Sequence, residues 1–235
     1  MAADPRIKKV AKPTLYHPDL HKRNIFVSKE DPTAITAIID WQSASIEPAF
    51  WYADEVPDFA KALPDPSNED RLEPKSETCA KVYDVSTQYY LPKLAEPRLM
   101  DDDFFRPFRY CFRTWSDGAV AFREELIQTS RRWKELGFSG ECPFPLPNDQ
   151  ELIEHTKNYN LFKASQELKH TLAGALNCAT DGWVPPEDWE RVKELHPQMY
   201  NLLLQEILEN KNPDEDDPLK SEADVREIWP FDLPT

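Results

Sequence analysis

The stretch Tyr16-His17-Pro18-Asp19-Leu20-His21-Lys22-Arg23-Asn24-Ile25-Phe26-Val27 gathers the side chains best suited to chemistry. Asp19 is a carboxylate that can accept or orient a hydroxyl proton. Asn24 follows it within the same stretch, and Asp40 closes the apolar run of residues 35–39. An amide oxygen and a carboxylate oxygen placed together suit Mg²⁺. That cation prefers hard oxygen ligands and keeps its other positions for water and phosphate. The residues between Asn24 and Asp40 predict that the two meet. Ile25-Phe26-Val27 and Ile35-Thr36-Ala37-Ile38-Ile39 are β-branched and apolar, and Asp31-Pro32 marks a turn between them. Antiparallel strands lie about 4.7–4.9 Å apart. Asn24, just before the first strand, and Asp40, just after the second, therefore emerge at the same end.

His17-x-Asp19-x-x-x-x-Asn24 has the spacing of the catalytic loop of protein kinases. Alone this is a loose pattern, and both Asp19 and Asn24 would also serve as turn residues. The hairpin leading to Asp40 favours the chemical reading. A rival reading takes His17-Pro18-Asp19-Leu20-His21 as part of a dinuclear metal hydrolase centre. That centre needs more clustered histidines. Only His155, His170 and His196 remain, each alone on a helical pattern.

The segment LYHPDLHKRNIFV (residues 15–27), with AIIDWQSASIEPAFWYADEVPDFA (residues 37–60), resembles the aminoglycoside phosphotransferase/choline-kinase-like family. It is most similar to the fungal altered inheritance of mitochondria branch. The sharp part of the match covers about residues 14–60. The resemblance implies that Asp19 is the catalytic base and that Asn24 and Asp40 are Mg²⁺ ligands. It implies ATP as phosphoryl donor and a small molecule bearing a hydroxyl group as acceptor. His17 would anchor the loop and His21 would brace it. The trailing acidic position of the family falls on Asp54 or Asp58, with Asp54 preferred.

Kinases of this kind place a β-rich lobe before the catalytic loop. It supplies a phosphate-covering loop and a Lys–Glu pair. Only residues 1–16 precede His17. The expected fold is therefore mainly α with a small β-hairpin, a protein-kinase-like C-terminal lobe lacking its N-lobe. Residues 1–209 would form this lobe, and residues 210–235 an acidic, proline-punctuated tail. The face left by the absent lobe would be apolar and prone to self-association, and the isolated chain would be inactive. The alternative is a non-catalytic, kinase-like binding or scaffold protein. Mitochondrial residence is implied by the resemblance alone, and cytoplasmic residence is expected if no transit peptide lies upstream.

The remaining elements read as helices. Residues 76–91 carry Val82, Val85, Tyr89 and Tyr90 at helical spacing before Pro92. Residues 104–115 carry an aromatic stripe (Phe105, Phe108, Phe112, Trp115) that reads as core in preference to an acceptor pocket. A helix over 119–136 should close at Gly137. Residues 149–177 form a long amphipathic pattern. A last helix runs from 186 to about 209, with a kink or break expected at Pro197. Beyond it, Ile228, Trp229 and Phe231 could dock the tail back onto the fold. The β signal ends at Trp41.

Composition sets the outer limits. Only five of 235 residues are glycine, all from Gly118 onward, while 22 are proline. No G-x-G-x-x-G or Walker run is present, so no glycine-lined phosphate loop is encoded. The net charge of −15 opposes a phosphate backbone, which argues against nucleic-acid binding. No apolar run approaches the roughly 20 residues of a membrane span. The four cysteines form no C-x-x-C pair, and reduced thiols in an intracellular compartment are expected.

Overall fold

The computed structural model describes residues 1–210 and 217–232, and the protein is mainly helical with small antiparallel sheets. Two compact units divide the chain: Met1–Arg109 with Lys134–Ser139, and Tyr110–Trp133 with Gly140–Thr235.

The first unit starts with α1 (Pro5–Val10). The Asp4 side chain caps it by accepting from the Arg6 N–H, and Pro5 opens its first turn. The helix buries Ile7 and Val10 in a core completed by Phe50, Phe104, Phe105 and Leu136. Phe50 and Phe105 stack with ring centroids 4.7 Å apart. Three two-stranded antiparallel sheets complete the unit. β1 (Pro13–Tyr16) pairs with β4 (Ser45–Pro48), and β2 (Ile25–Val27) pairs with β3 (Ile35–Ile38). β5 (Pro64–Asp65) pairs with β6 (Asn68–Leu72). The helices α2 (Pro74–Tyr90) and α3 (Pro92–Arg98) follow. Leu15 of β1 lies opposite Ile46 of β4, and both are exposed. So are Val27 and Ile35, which pair in the second hairpin.

Two expectations need correction here. The β signal does not stop at Trp41, because β4, β5 and β6 lie beyond it. Ser45-Ile46-Glu47-Pro48 is a weak strand sequence, and its pairing with β1 overrides local propensity. The aromatic stripe is core only in its first half. Phe104 and Phe105 are buried, whereas Phe112 and Trp115 are exposed by 61% and 81%. Phe108, Phe112 and Trp115 share one face of α4 (Arg106–Asp117), but only the Phe108 end of that face packs against the core.

The second unit is helical: α5 (Ala119–Arg131), α6 (Asp149–Leu176), α7 (Trp189–Glu209) and α8 (Glu222–Ile228). α6 opens with a reciprocal capping box between Asn148 and Glu151, and ends at Asn177 in the left-handed conformation, φ 55°. α5 stops at Arg131, short of the expected Gly137. α7 runs unbroken through Pro197, without the expected interruption. The core of this unit is Leu172, Leu176, Val192, Tyr200, Val225 and Trp229. Residues 217–232 therefore include a docked helix, and the acidic run at 211–216 lies outside the described residues. No helix among the described residues is long and apolar enough to cross a membrane.

Candidate active site

Three short elements position the loop. β1 delivers the chain to His17, and its Tyr16 hydroxyl donates to the Ala49 carbonyl at 2.8 Å. Burial pushes that phenol up to about 12. A single 3₁₀ turn, Lys22–Asn24, then leads into β2. β3 returns the chain to Ile39, whose N–H donates to the Asn24 carbonyl at 3.0 Å. This bond extends the ladder one step past β2 and β3, so Asn24 and Asp40 emerge at one end of the hairpin. Asp40 itself sits at φ 65° and bends the chain away from the strand. An L-residue tolerates this conformation best when it is Asn or Asp.

His17 ties the loop to the hairpin. Its Nδ1 accepts from the Asp19 N–H at 3.2 Å, which leaves the proton on Nε2 to meet the Ile39 carbonyl at 2.8 Å. The ring packs edge-on against Trp41, with centroids 4.7 Å apart. The Trp41 indole N–H in turn donates to the Ile38 carbonyl at 2.8 Å. His17 thus fixes the backbone of Asp19 from one side and the end of β3 from the other.

Asp19 is half-exposed and held at both oxygens. Oδ1 lies 2.6 Å from His21 Nε2, and Oδ2 accepts from Asn24 Nδ2 at 3.2 Å. Arg23 stands 3.5 Å from Oδ2. A carboxylate offers about four acceptor positions, so room remains for an incoming hydroxyl. Asn24 is buried, and its Nδ2 also donates to the Asp19 carbonyl at 2.8 Å. With the nitrogen turned onto the loop, Oδ1 is the oxygen that a cation would meet.

The trailing carboxylate is Asp58, and the preference for Asp54 is corrected. Asp58 Oδ1 accepts from the Lys22 N–H at 2.9 Å and stands 3.7 Å from His21 Nδ1. The Lys22 N–H is the main reason that this carboxyl sits below its usual range, and the His21 and Lys22 charges add to it. Asp54 instead faces Arg109 at 3.3 Å, the same guanidinium that donates to the Phe50 carbonyl. One signal in the sequence could have distinguished them. Pro57 precedes Asp58 at the start of a 3₁₀ turn, which fixes its backbone, and Asp54 lies near no such element. Trp41 also belongs to the site, as the surface on which His17 rests. Its position directly after Asp40 was the clue.

Among the described residues, no group of three or more His, Cys, Asp or Glu side chains is placed to hold a metal. The dinuclear hydrolase reading therefore finds no support. The pair Asn24 and Asp40 is a different donor set, two hard oxygens at one hairpin end, and its chemistry fits Mg²⁺.

Residues 2–63 match the model of the phosphotransferase enzyme family. The loop, the hairpin and Asp58 all fall inside this match. The relatives reach the fungal branch. "Altered inheritance of mitochondria protein 9, mitochondrial" of Zygosaccharomyces rouxii is 24% identical over 213 residues, 80% of this chain and 32% of that protein. Subtelomeric hrmA-associated cluster proteins from two strains of Aspergillus fumigatus are 26% identical over 215 residues, 80% of this chain and 41% of those proteins. The chain thus spans less than half the length of these relatives. No solved structure matches.

Proposed function

We propose that the first unit carries the catalytic loop of a kinase-like phosphotransferase that moves the γ-phosphoryl group of ATP to a hydroxyl of a small molecule. The observation that carries this reading is the hairpin end, where one backbone bond from Ile39 to Asn24 brings Asn24, Asp40 and the Asn24-braced Asp19 to one place. Asn24 Oδ1 and the Asp40 carboxylate would hold Mg²⁺. When bound with the nucleotide, that ion supplies positive charge against the phosphate oxygens. Asp19 takes the proton of the acceptor hydroxyl as its oxygen bonds to the γ-phosphorus, and ADP leaves with the bridging oxygen. His21 and Arg23 keep the Asp19 carboxylate oriented for that task. His17 holds the Asp19 backbone against the end of β3.

The relative named as mitochondrial supports placing this protein in mitochondria. The exposed apolar pairs Leu15/Ile46 and Val27/Ile35 are where self-association of the chain would occur.

The test is Mg²⁺-dependent ATP binding by the full-length protein, measured by calorimetry with and without EDTA. Binding that needs the metal and is lost in Asp40→Ala supports the reading. A full-length protein that binds no nucleotide, or an Asp40→Ala variant that binds as the parent does, overturns it in favour of a non-catalytic scaffold.

A further inference from the structure

The second unit contains a histidine that the proposed chemistry does not use. His196 lies on α7, and its Nε2 accepts from the Trp229 indole N–H at 2.9 Å. The ring also faces Trp229 and Phe231, with centroids 5.4 and 5.9 Å away. Trp229 stands edge-on to Tyr200 at 5.1 Å. The segment that brings these rings is α8 and the residues after it. Ser221 caps α8, and Val225, Ile228 and Trp229 are buried. At its far end, Phe231 packs so closely on Gly182 that a Cβ there would lie 3.2 Å from its ring.

This segment also shapes a cavity of about 500 Å³. Glu227 and Ile228 form one side of it, and Ser116, Val120, Asn158 and Phe162 form the others. An opened segment would remove that side.

We propose that residues 221–231 are a proton-operated latch on the second unit, closed by neutral His196 and forming one wall of the cavity at the start of α5. The chemistry is that of a single hydrogen bond. Nε2 can accept from Trp229 only while it carries no proton. Protonation would turn Nε2 into a donor facing another donor, on the side of the half-buried ring that meets Trp229 and Phe231. The indole N–H would lose its partner, and a partly buried charge would lie against the two rings.

Among the described residues, none lends His196 a counter-ion. Its own helix carries Lys193, Glu194 and Tyr200, the docked segment carries Asp224, Arg226 and Glu227, and the turn after α6 carries Cys178 and Asp181. None of them shifts His196, which is held below the ordinary imidazole value by burial alone. Asp224 is itself held below the usual carboxylate range, first by Ser221 and then by the Lys220 N–H, so it stays ionised where imidazole titrates.

The sign follows from linkage. The closed state binds the proton less readily than the open state. Closure is therefore at full strength above the free imidazole value, about 6.5, and weakens as pH falls through the lower closed-state value. Each unit between the two values changes the open fraction about tenfold.

The test is amide hydrogen exchange of the whole chain at about pH 7.5 and 5.5, corrected for intrinsic rates, with α6 as internal reference. The expected result is loss of protection in residues 221–231 relative to α6 at the lower pH. His196→Gln keeps an acceptor oxygen but cannot titrate, so its protection should be equal at both pH values. Trp229→Phe removes the donor, so its segment should exchange faster at neutral pH and respond less to acid. Wild-type protection that does not change between the two pH values overturns the proposal, whatever the variants do. So does a His196→Gln protein that keeps the wild-type pH response.

Discussion

The loop and hairpin of the first unit and the helical cluster of the second are held by different forces. Around Asp19 the strands are 3–4 residues long, and Leu15, Ile46, Val27 and Ile35 face outward. Position there is set by a few directed bonds: His17 to Asp19 and Ile39, Asn24 to Asp19, and Asp58 to Lys22. In the second unit, helices of 28 and 21 residues meet over Leu172, Leu176, Val192 and Tyr200. Position there follows from apolar burial, which is non-directional and worth more per residue. Substitutions around Asp19 should therefore disturb chemistry more than stability, and substitutions in the second unit the reverse.

The largest separation is expected at Asp19. In the full-length protein, Asp19→Asn keeps the shape of the side chain and removes the proposed base, and should lower kcat by about 10²–10⁴-fold. Its urea midpoint should stay within error of the parent, because the side chain is half-exposed. A variant that unfolds more easily while retaining turnover would reverse the comparison. The matching change in the second unit is Leu176→Ala. Leu176 is 1% exposed, and its truncation should cost about 2–5 kcal/mol in urea unfolding through lost burial and the cavity left behind.

The same difference explains how much could be read from the sequence. Asn24 and Asp40 were legible because a hairpin returns its ends together, and two apolar runs with a turn between them specify a hairpin. The match over residues 2–63 lies in this part of the chain. The helices were legible where caps and periodicity agreed, as in α6 with Asn148 and Asn177 at its ends. β4 was not, since its residues are poor strand formers and only β1 recruits them. Asp58 was named but ranked behind Asp54, because its role is to accept a backbone N–H. A sequence shows which side chains are acidic, but not which main-chain donors they meet. The break offered at Pro197 does not occur for a related reason: tertiary packing of α7 through Val192 and Tyr200 outweighs one missing helical bond.

A smaller effect is expected at His17, where the two contributions meet. His17→Ala leaves the Asp19 N–H and the Ile39 carbonyl without their partner, and removes the ring against Trp41. The cost should be about 1–3 kcal/mol, towards the lower end because water can reach the site. Turnover in the full-length protein should fall as well, since the Asp19 backbone loses one of its anchors and keeps only the bonds to its carbonyl. A loss of stability with unchanged turnover would show that the loop holds its shape without the histidine.

The smallest effect is the most specific in its pH dependence. Asp58 is held below the usual carboxylate range chiefly by the Lys22 N–H, against the opposing effect of burial, with the Phe59 N–H and the charges of His21 and Lys22 adding. A carboxylate lowered in this way contributes stability that is present above its unfolded value, about 3.9. That contribution is lost as pH falls through the folded value. Urea midpoints of the parent and of Asp58→Asn should therefore differ at about pH 6 and converge as pH falls below about 3.9. A gap that stays constant from neutral to acid pH would mean that the shape of Asp58, and not its charge, fixes Lys22. The loop would then be held by packing, as the helical cluster is.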